Sequence, residues 1–237
     1  MDQLFSNPQN LLYAILGGVL PAIFWLWFWL REEDAEDTEP RGLIALAFIL
    51  GALTVAIAIW LEKGSIAYVT DPTSQVIVWA AIEEFLKLVG VSLIIWGSSA
   101  VDQPIDYPMY FIAVALGFAA LENMLYLLHP LQVQGTVVGL LTGNLRFLGS
   151  TLLHLIASSM IGSALGLSFY LKEYRITYLF CGFVCAVALH STFNFFIMEG
   201  SGENFLSVFG FLWVIAIINI LIFEKLKRMG HEFTPSS

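Results

Sequence analysis

The chain has 237 residues, 58% of them apolar and 12% charged, with a formal net charge of −9. Soluble domains carry about 25% charged residues, so a water-exposed globule is excluded and lipid is the expected solvent. The acidic balance also excludes a nucleic-acid partner, which needs a basic footprint. The length fits one domain over residues 1–237.

No Lys or Arg precedes the first apolar run, and that run is too long for a signal-peptide core. It is therefore expected to be a membrane span rather than a cleaved leader. A bilayer crossing takes about 20 mostly apolar residues. Seven windows qualify: 11–30 with Pro21 inside it, 43–61, 76–97, 108–129, 147–171, 176–198 and 205–223. The expected fold is all-α, a polytopic transmembrane helix bundle of about seven spans. Between the first two windows, residues 31–41 hold six of the nineteen acids, read as a solvated loop. Residues 71–74, 103–104 and 199–202 carry turn chemistry. Residues 132–143 are apolar but too short to span, and a re-entrant or interfacial segment is expected there. Cys181 and Cys185 lie four apart, without the CxxC spacing of redox or zinc pairs, and read as small packing residues. Gly162-x-x-x-Gly166 reads as a close-packing motif.

Lys and Arg in the loops set the orientation. With seven spans, one side holds Arg31, Arg41, Lys172, Arg175, Lys225, Lys227 and Arg228, and the other Lys63 and Arg146. This predicts a multi-pass protein of the cell membrane, amino terminus outside and carboxyl terminus cytoplasmic.

Ionisable groups inside the spans are the anomaly. Span three holds Glu83, Glu84 and Lys87; span four holds Glu122, with Asn123 and Tyr126 beside it. Span five holds His154, and span six His190 and Asn194. Four charged groups in hydrocarbon would cost roughly 10 kcal/mol before pairing. Helical spacing lets Lys87 pair with either Glu83 or Glu84. In the predicted orientation the polar residues of all four spans fall in the outer part of the membrane, which points to one cavity. Crowded carboxylates in a low dielectric titrate apart, giving a general base and a general acid. Imidazole and carboxamide groups add donors for an oxyanion. That set fits water activation and acyl hydrolysis. No GxSxG or HExxH is present.

Glu83-Glu84-Phe-Leu-Lys87 resembles the EExxK motif of the PrsW family of intramembrane proteases. Phe118-Ala-Ala-Leu-Glu122-Asn123-Met-Leu-Tyr126 resembles its second motif, and His190-Ser-Thr-Phe-Asn194 its last. Pro21 and Asp37-Thr-Glu-Pro40 resemble that family's amino-terminal region. The wider group includes the CAAX-processing endopeptidases, with EExxxR, FxxxH and HxxxN motifs. Here the lysine comes one position earlier, and Glu122 stands where the second motif usually has histidine. The resemblance implies cleavage of single-pass membrane proteins, notably anti-sigma factors, near the outer face, by a glutamic-type or metal-dependent protease.

The expected catalytic set is Glu83, Glu84, Glu122, His154, His190 and Asn194. Glu83 or Glu84 serves as base, with Glu83 preferred from the resemblance, and His190 and Asn194 stabilise the oxyanion. Lys87, Asn123, Tyr126 and Arg146 are supporting residues. The expected partners are a single-pass membrane-protein substrate and the bilayer. No metal is favoured; the alternative is zinc on Glu122, His154 and His190. Rival readings are a proton-coupled transporter or channel and a non-catalytic scaffold. The inner halves of the spans are nearly bare of ionisable groups, against the relay a transporter needs.

Overall fold

The computed structural model describes residues 8–31, 39–95, 101–133, 136–199 and 205–233, without side chains at 129–130, 132–133, 136–148, 197–199, 205–206 and 231–233. Among the described residues there are seven α-helices and no strand: α1 (Pro8–Leu30), α2 (Arg41–Ser65), α3 (Pro72–Ile95), α4 (Asp106–Val133), α5 (Thr136–Leu167), α6 (Arg175–Glu199) and α7 (Phe205–Phe233). A single 3-10 turn, Lys172–Tyr174, leads into α6. The fold is all-α, as the hydropathy pattern predicts.

Six of the helices are long and apolar enough to cross a membrane. The exception is α3, which at 24 residues is long enough for a hydrocarbon core of about 30 Å but carries Glu83, Glu84 and Lys87 at its middle. Its start is well marked. Asp71 precedes Pro72, a favoured first helical residue, and its Oδ2 accepts the amide of Ser74 at 2.8 Å and the Ser74 hydroxyl at 2.7 Å. Those two donors hold the Asp71 carboxyl below its ordinary range.

The core is the α4–α5 hairpin. In α4 and α5, 72% and 78% of the apolar stretch is buried, against 22% to 33% in α1, α2, α6 and α7. The outer helices turn their large apolar side chains outward, among them Trp60, Phe180 and Leu221, because lipid costs them nothing. Small residues allow the close crossings. A Cβ on Gly51 would lie 1.9 Å from the Val114 carbonyl oxygen, and one on Gly117 would lie 1.8 Å from that of Phe48, so α2 and α4 touch backbone to backbone. Gly162 and Gly166 of α5 likewise abut Pro108 and Pro104, the close packing their spacing predicts.

Four local expectations change. The stretch 132–143 is no separate re-entrant segment: Gln132 and Val133 end α4, and the rest from Thr136 opens α5. Hydropathy misses this because Thr142, Asn144 and Arg146 interrupt the apolar run, whereas backbone hydrogen bonding continues through them. Those added turns move the polar residues of α4 and α5 nearer to mid-helix than the apolar windows place them. Cys181 and Cys185 are exposed on the outside of α6 and do not pack in the bundle. Finally, the acidic 31–41 stretch is not uniformly solvated: residues 32–38 lie outside the described residues, but Glu39 is buried and accepts the Tyr110 hydroxyl.

Candidate active site

The polar residues of four helices meet. Glu83, Glu84 and Lys87 of α3, His154 of α5 and His190 of α6 are all buried, and Lys87 and Glu84 are fully so. Glu84 is the anchor. Its Oε1 accepts Lys87 Nζ at 2.8 Å and lies 2.9 Å from His190 Nδ1, and its Oε2 accepts the Ser158 hydroxyl at 2.7 Å. A carboxylate compensated on both oxygens is what lets a buried ion pair persist. Lys87 also lies 4.4 Å from the centre of the Phe118 ring, a cation–π contact in a desolvated place.

These contacts assign both imidazole tautomers. An ammonium has donors only, so the 2.8 Å contact between Lys87 Nζ and His154 Nδ1 makes that nitrogen an acceptor. The His154 proton therefore sits on Nε2, which donates to Glu122 Oε2 at 2.9 Å. His190 donates from Nδ1 to Glu84, so its Nε2 carries a lone pair. That lone pair faces Glu83 Oε2 at 3.7 Å, as does His154 Nδ1, also at 3.7 Å. Lys87 Nζ is 3.6 Å from the same oxygen. All three distances exceed a hydrogen bond. Glu83 Oε2 is thus a buried acceptor with no hydrogen-bond partner, an expensive state in a pocket ringed by nitrogen.

The remaining expected residues divide. Glu122 is the most exposed member of the cluster, its side chain 29% exposed. Asn194 is partly buried one turn beyond His190 and makes no hydrogen bond among the described residues. Asn123 instead ties α4 to α5 through the Thr151 hydroxyl at 3.0 Å. Tyr126 is half exposed, and the side chain of Arg146 lies outside the described residues. Two residues were missed. Ser158 lies 74 positions from Glu84, and only the fold brings its hydroxyl there. Glu62 falls just past the apolar window ending at 61, but α2 runs on to Ser65. There Glu62 is half-buried within electrostatic reach of Glu122, His190 and Lys87.

The donor set also bears on a metal. Glu83, His154 and His190 each offer a ligand atom, all within 4.8 Å of one another. Three mixed carboxylate and imidazole ligands with an open position are a catalytic-metal pattern. Each histidine gives its other nitrogen to a carboxylate, His154 to Glu122 and His190 to Glu84, the outer-shell arrangement typical of metal-bound imidazoles. With Glu83 Oε2 unsatisfied between them, these residues fit a metal ion. The carboxylate grouped with the two histidines is Glu83 rather than the Glu122 of the alternative zinc set, which bonds Nε2 of His154 instead.

A family model described as "PrsW family intramembrane metalloprotease" matches residues 39–222. The chain belongs to the PrsW family. It is a peptidase and a multi-pass membrane protein. It is 29% identical to Protease PrsW of Geobacillus kaustophilus over 78% of this chain and 79% of the relative. It is 27% identical to Protease PrsW of Oceanobacillus iheyensis over 89% and 95% of the two chains, and to that of Bacillus subtilis, also at 27%, over 85% and 92%. No solved structure matches the chain. The matched region takes in all four polar helices, so the cluster belongs to the family's part of the chain.

Proposed function

We propose that this PrsW-family peptidase hydrolyses a peptide bond of a single-pass membrane protein with water activated by Glu83. The observation that carries the reading is the unpartnered, buried Glu83 Oε2 facing His154 and His190. A water lodged against that oxygen has the His190 Nε2 lone pair as its second partner. Glu83 takes the proton as the water attacks the scissile carbonyl. His190, held from behind by Glu84, takes the second proton of that water at Nε2 and gives it to the leaving amine as the C–N bond breaks, while Glu83 returns its proton to solvent. Glu84 stabilises the imidazolium formed in passing, as the buried acid of a hydrolytic triad does. Asn194, with its carboxamide uncommitted and one turn away, supplies a donor to the oxyanion. Glu122 fixes His154 through Nε2, and Lys87 offsets the Glu83–Glu84 charge.

A bound metal, held by Glu83, His154 and His190, would supply Lewis acidity and a more acidic water. Lys87 now holds His154 Nδ1, so that nitrogen is open to a metal only when Lys87 rests on Glu84 alone. The loop-charge asymmetry of seven against two supports cleavage towards the extracytoplasmic side, and an anti-sigma factor is a substrate of the right kind.

The test is cleavage of a single-pass substrate by reconstituted wild-type protein and Glu83→Gln, with and without chelator, alongside metal analysis of the same preparations. Loss of cleavage in the folded variant is expected. A Glu83→Gln protein that cuts at the wild-type rate overturns the assignment, and active metal-free protein removes the metal from it.

A further inference from the structure

Away from the active site, a cavity of about 200 Å³ opens between α3 and α6. Leu88, Val91, Ser92 and Ile95, one face of α3 below Lys87, form one wall; Phe111, fully buried, lies at its floor and the exposed Arg175 at its rim. The two helices are tied at the active site through Glu84 and His190 and leave this space towards the start of α6. The lining is almost wholly apolar, since the Ser92 hydroxyl is spent on the Leu88 carbonyl at 2.8 Å.

Arg175 is the exception. It donates to the Tyr107 hydroxyl and lies 5.1 Å from the centre of that ring. Among the described residues no carboxylate pairs with it, so a guanidinium with five donors stands over an apolar hole without an anion. Lys172 lies three residues earlier, with Glu173 between the two.

We infer that this cavity is a binding site for an anionic phospholipid, one acyl chain lying against α3 and the phosphate resting on Arg175. Its wall along α3 is apolar, a lining that suits a hydrocarbon chain. Charge decides the headgroup, because the Arg175 guanidinium at the rim favours an anionic lipid by the weight of one basic contact. The site lies directly below Lys87 on the helix that carries Glu83 and Glu84, so an occupied cavity braces the catalytic helix against α6.

The experiment is native mass spectrometry of the full chain, released from detergent with equal phosphatidylglycerol and phosphatidylcholine, read as the ratio of bound lipids. Wild type is expected to favour phosphatidylglycerol about fivefold or more, the weight of a single basic contact. Arg175→Gln should bring the ratio close to one, Ser92→Phe should reduce retention of both lipids, and Lys225→Gln should leave the ratio near wild type. Thermal unfolding of each variant checks that it is folded, and Arg175→Lys, which keeps the charge, should retain part of the preference should Arg175→Gln not fold. Equal retention of the two lipids by wild type overturns the proposal. So does an Arg175→Gln ratio like that of wild type, a Lys225→Gln loss as large as that of Arg175→Gln, or displacement of the lipid by inorganic phosphate alone.

Discussion

Glu83 and Glu39 are both carboxylates buried in a membrane bundle, 7% and 8% exposed, yet their surroundings differ in kind. Glu39 accepts the Tyr110 hydroxyl, and nearby Asp106 accepts the amides of Asp102 at 2.9 Å and Gln103 at 2.6 Å. At that end of the bundle these acids are spent on local donors, as fold-holding groups are. Around Glu83 the anchors are satisfied but the centre is not: Glu84, both imidazoles and Ser158 are committed, and Glu83 Oε2 alone has no donor. Burial of charge is common to both regions. What distinguishes the proposed site is a frame of bonded carboxylates and imidazoles around Glu83 Oε2, which has no hydrogen-bond partner.

That contrast can be broken by mutation. The largest effect is expected from Glu83→Gln, which should lower the cleavage rate by about 10²–10⁴-fold, the usual weight of a positioned acid–base group, with thermal stability largely kept because Oε2 makes no hydrogen bond and Lys87 keeps its closer partner Glu84. Initial cleavage rates and detergent-phase melting on one preparation test both halves; a strongly destabilised variant would place Glu83 with the structural acids. Glu84→Gln should fail differently. It strips the compensation from fully buried Lys87 and should cost stability of about 3–5 kcal/mol together with activity, read as a large fall in the melting temperature. Tyr110→Phe should cost about 1.5–3 kcal/mol for a hydrogen bond to a charged group and leave the cleavage rate at a permissive temperature unchanged. A rate loss there would join the two ends functionally. The smallest effect is expected from Asp71→Ala, which removes the cap of α3 from an exposed position. Because Ser74 lowers the Asp71 pKa, the folded state binds this proton more weakly than the unfolded chain. The stabilisation is therefore present above the ordinary carboxylate range and fades as pH falls through the lowered value. Melting curves across acidic pH should converge for wild type and Asp71→Ala.

Much of this is legible in the sequence, for a physical reason. In lipid each helix must satisfy its own backbone, so spans announce themselves by apolar length, and a charge inside one is costly enough to mean something. Glu83, Glu84, Lys87, Glu122, His154 and His190 could all be picked out that way, and helical spacing paired Lys87 with its glutamates. The same logic misled where polarity was local. Residues 132–143 looked like a separate segment because a few polar side chains broke a run that backbone hydrogen bonding carries through. Glu39 looked solvated because its neighbours are acids, and its burial depends on Tyr110, 71 positions away. Glu62 was hidden by an apolar window that stopped one residue short.

The sequence by itself determined the solvent, the helical class and which residues are too expensive to be idle, since transfer cost is a property of each side chain and its neighbours along the chain. Only the tertiary structure decided which atoms face one another. Helix crossings and rotations, set by the packing of Gly51, Gly117 and Gly162, turn Ser158 towards Glu84 and Glu122 towards the outer nitrogen of His154. They leave Glu83 Oε2 alone between two lone pairs, an arrangement that depends on distances of a few ångströms between helices and is written in no single stretch of chain.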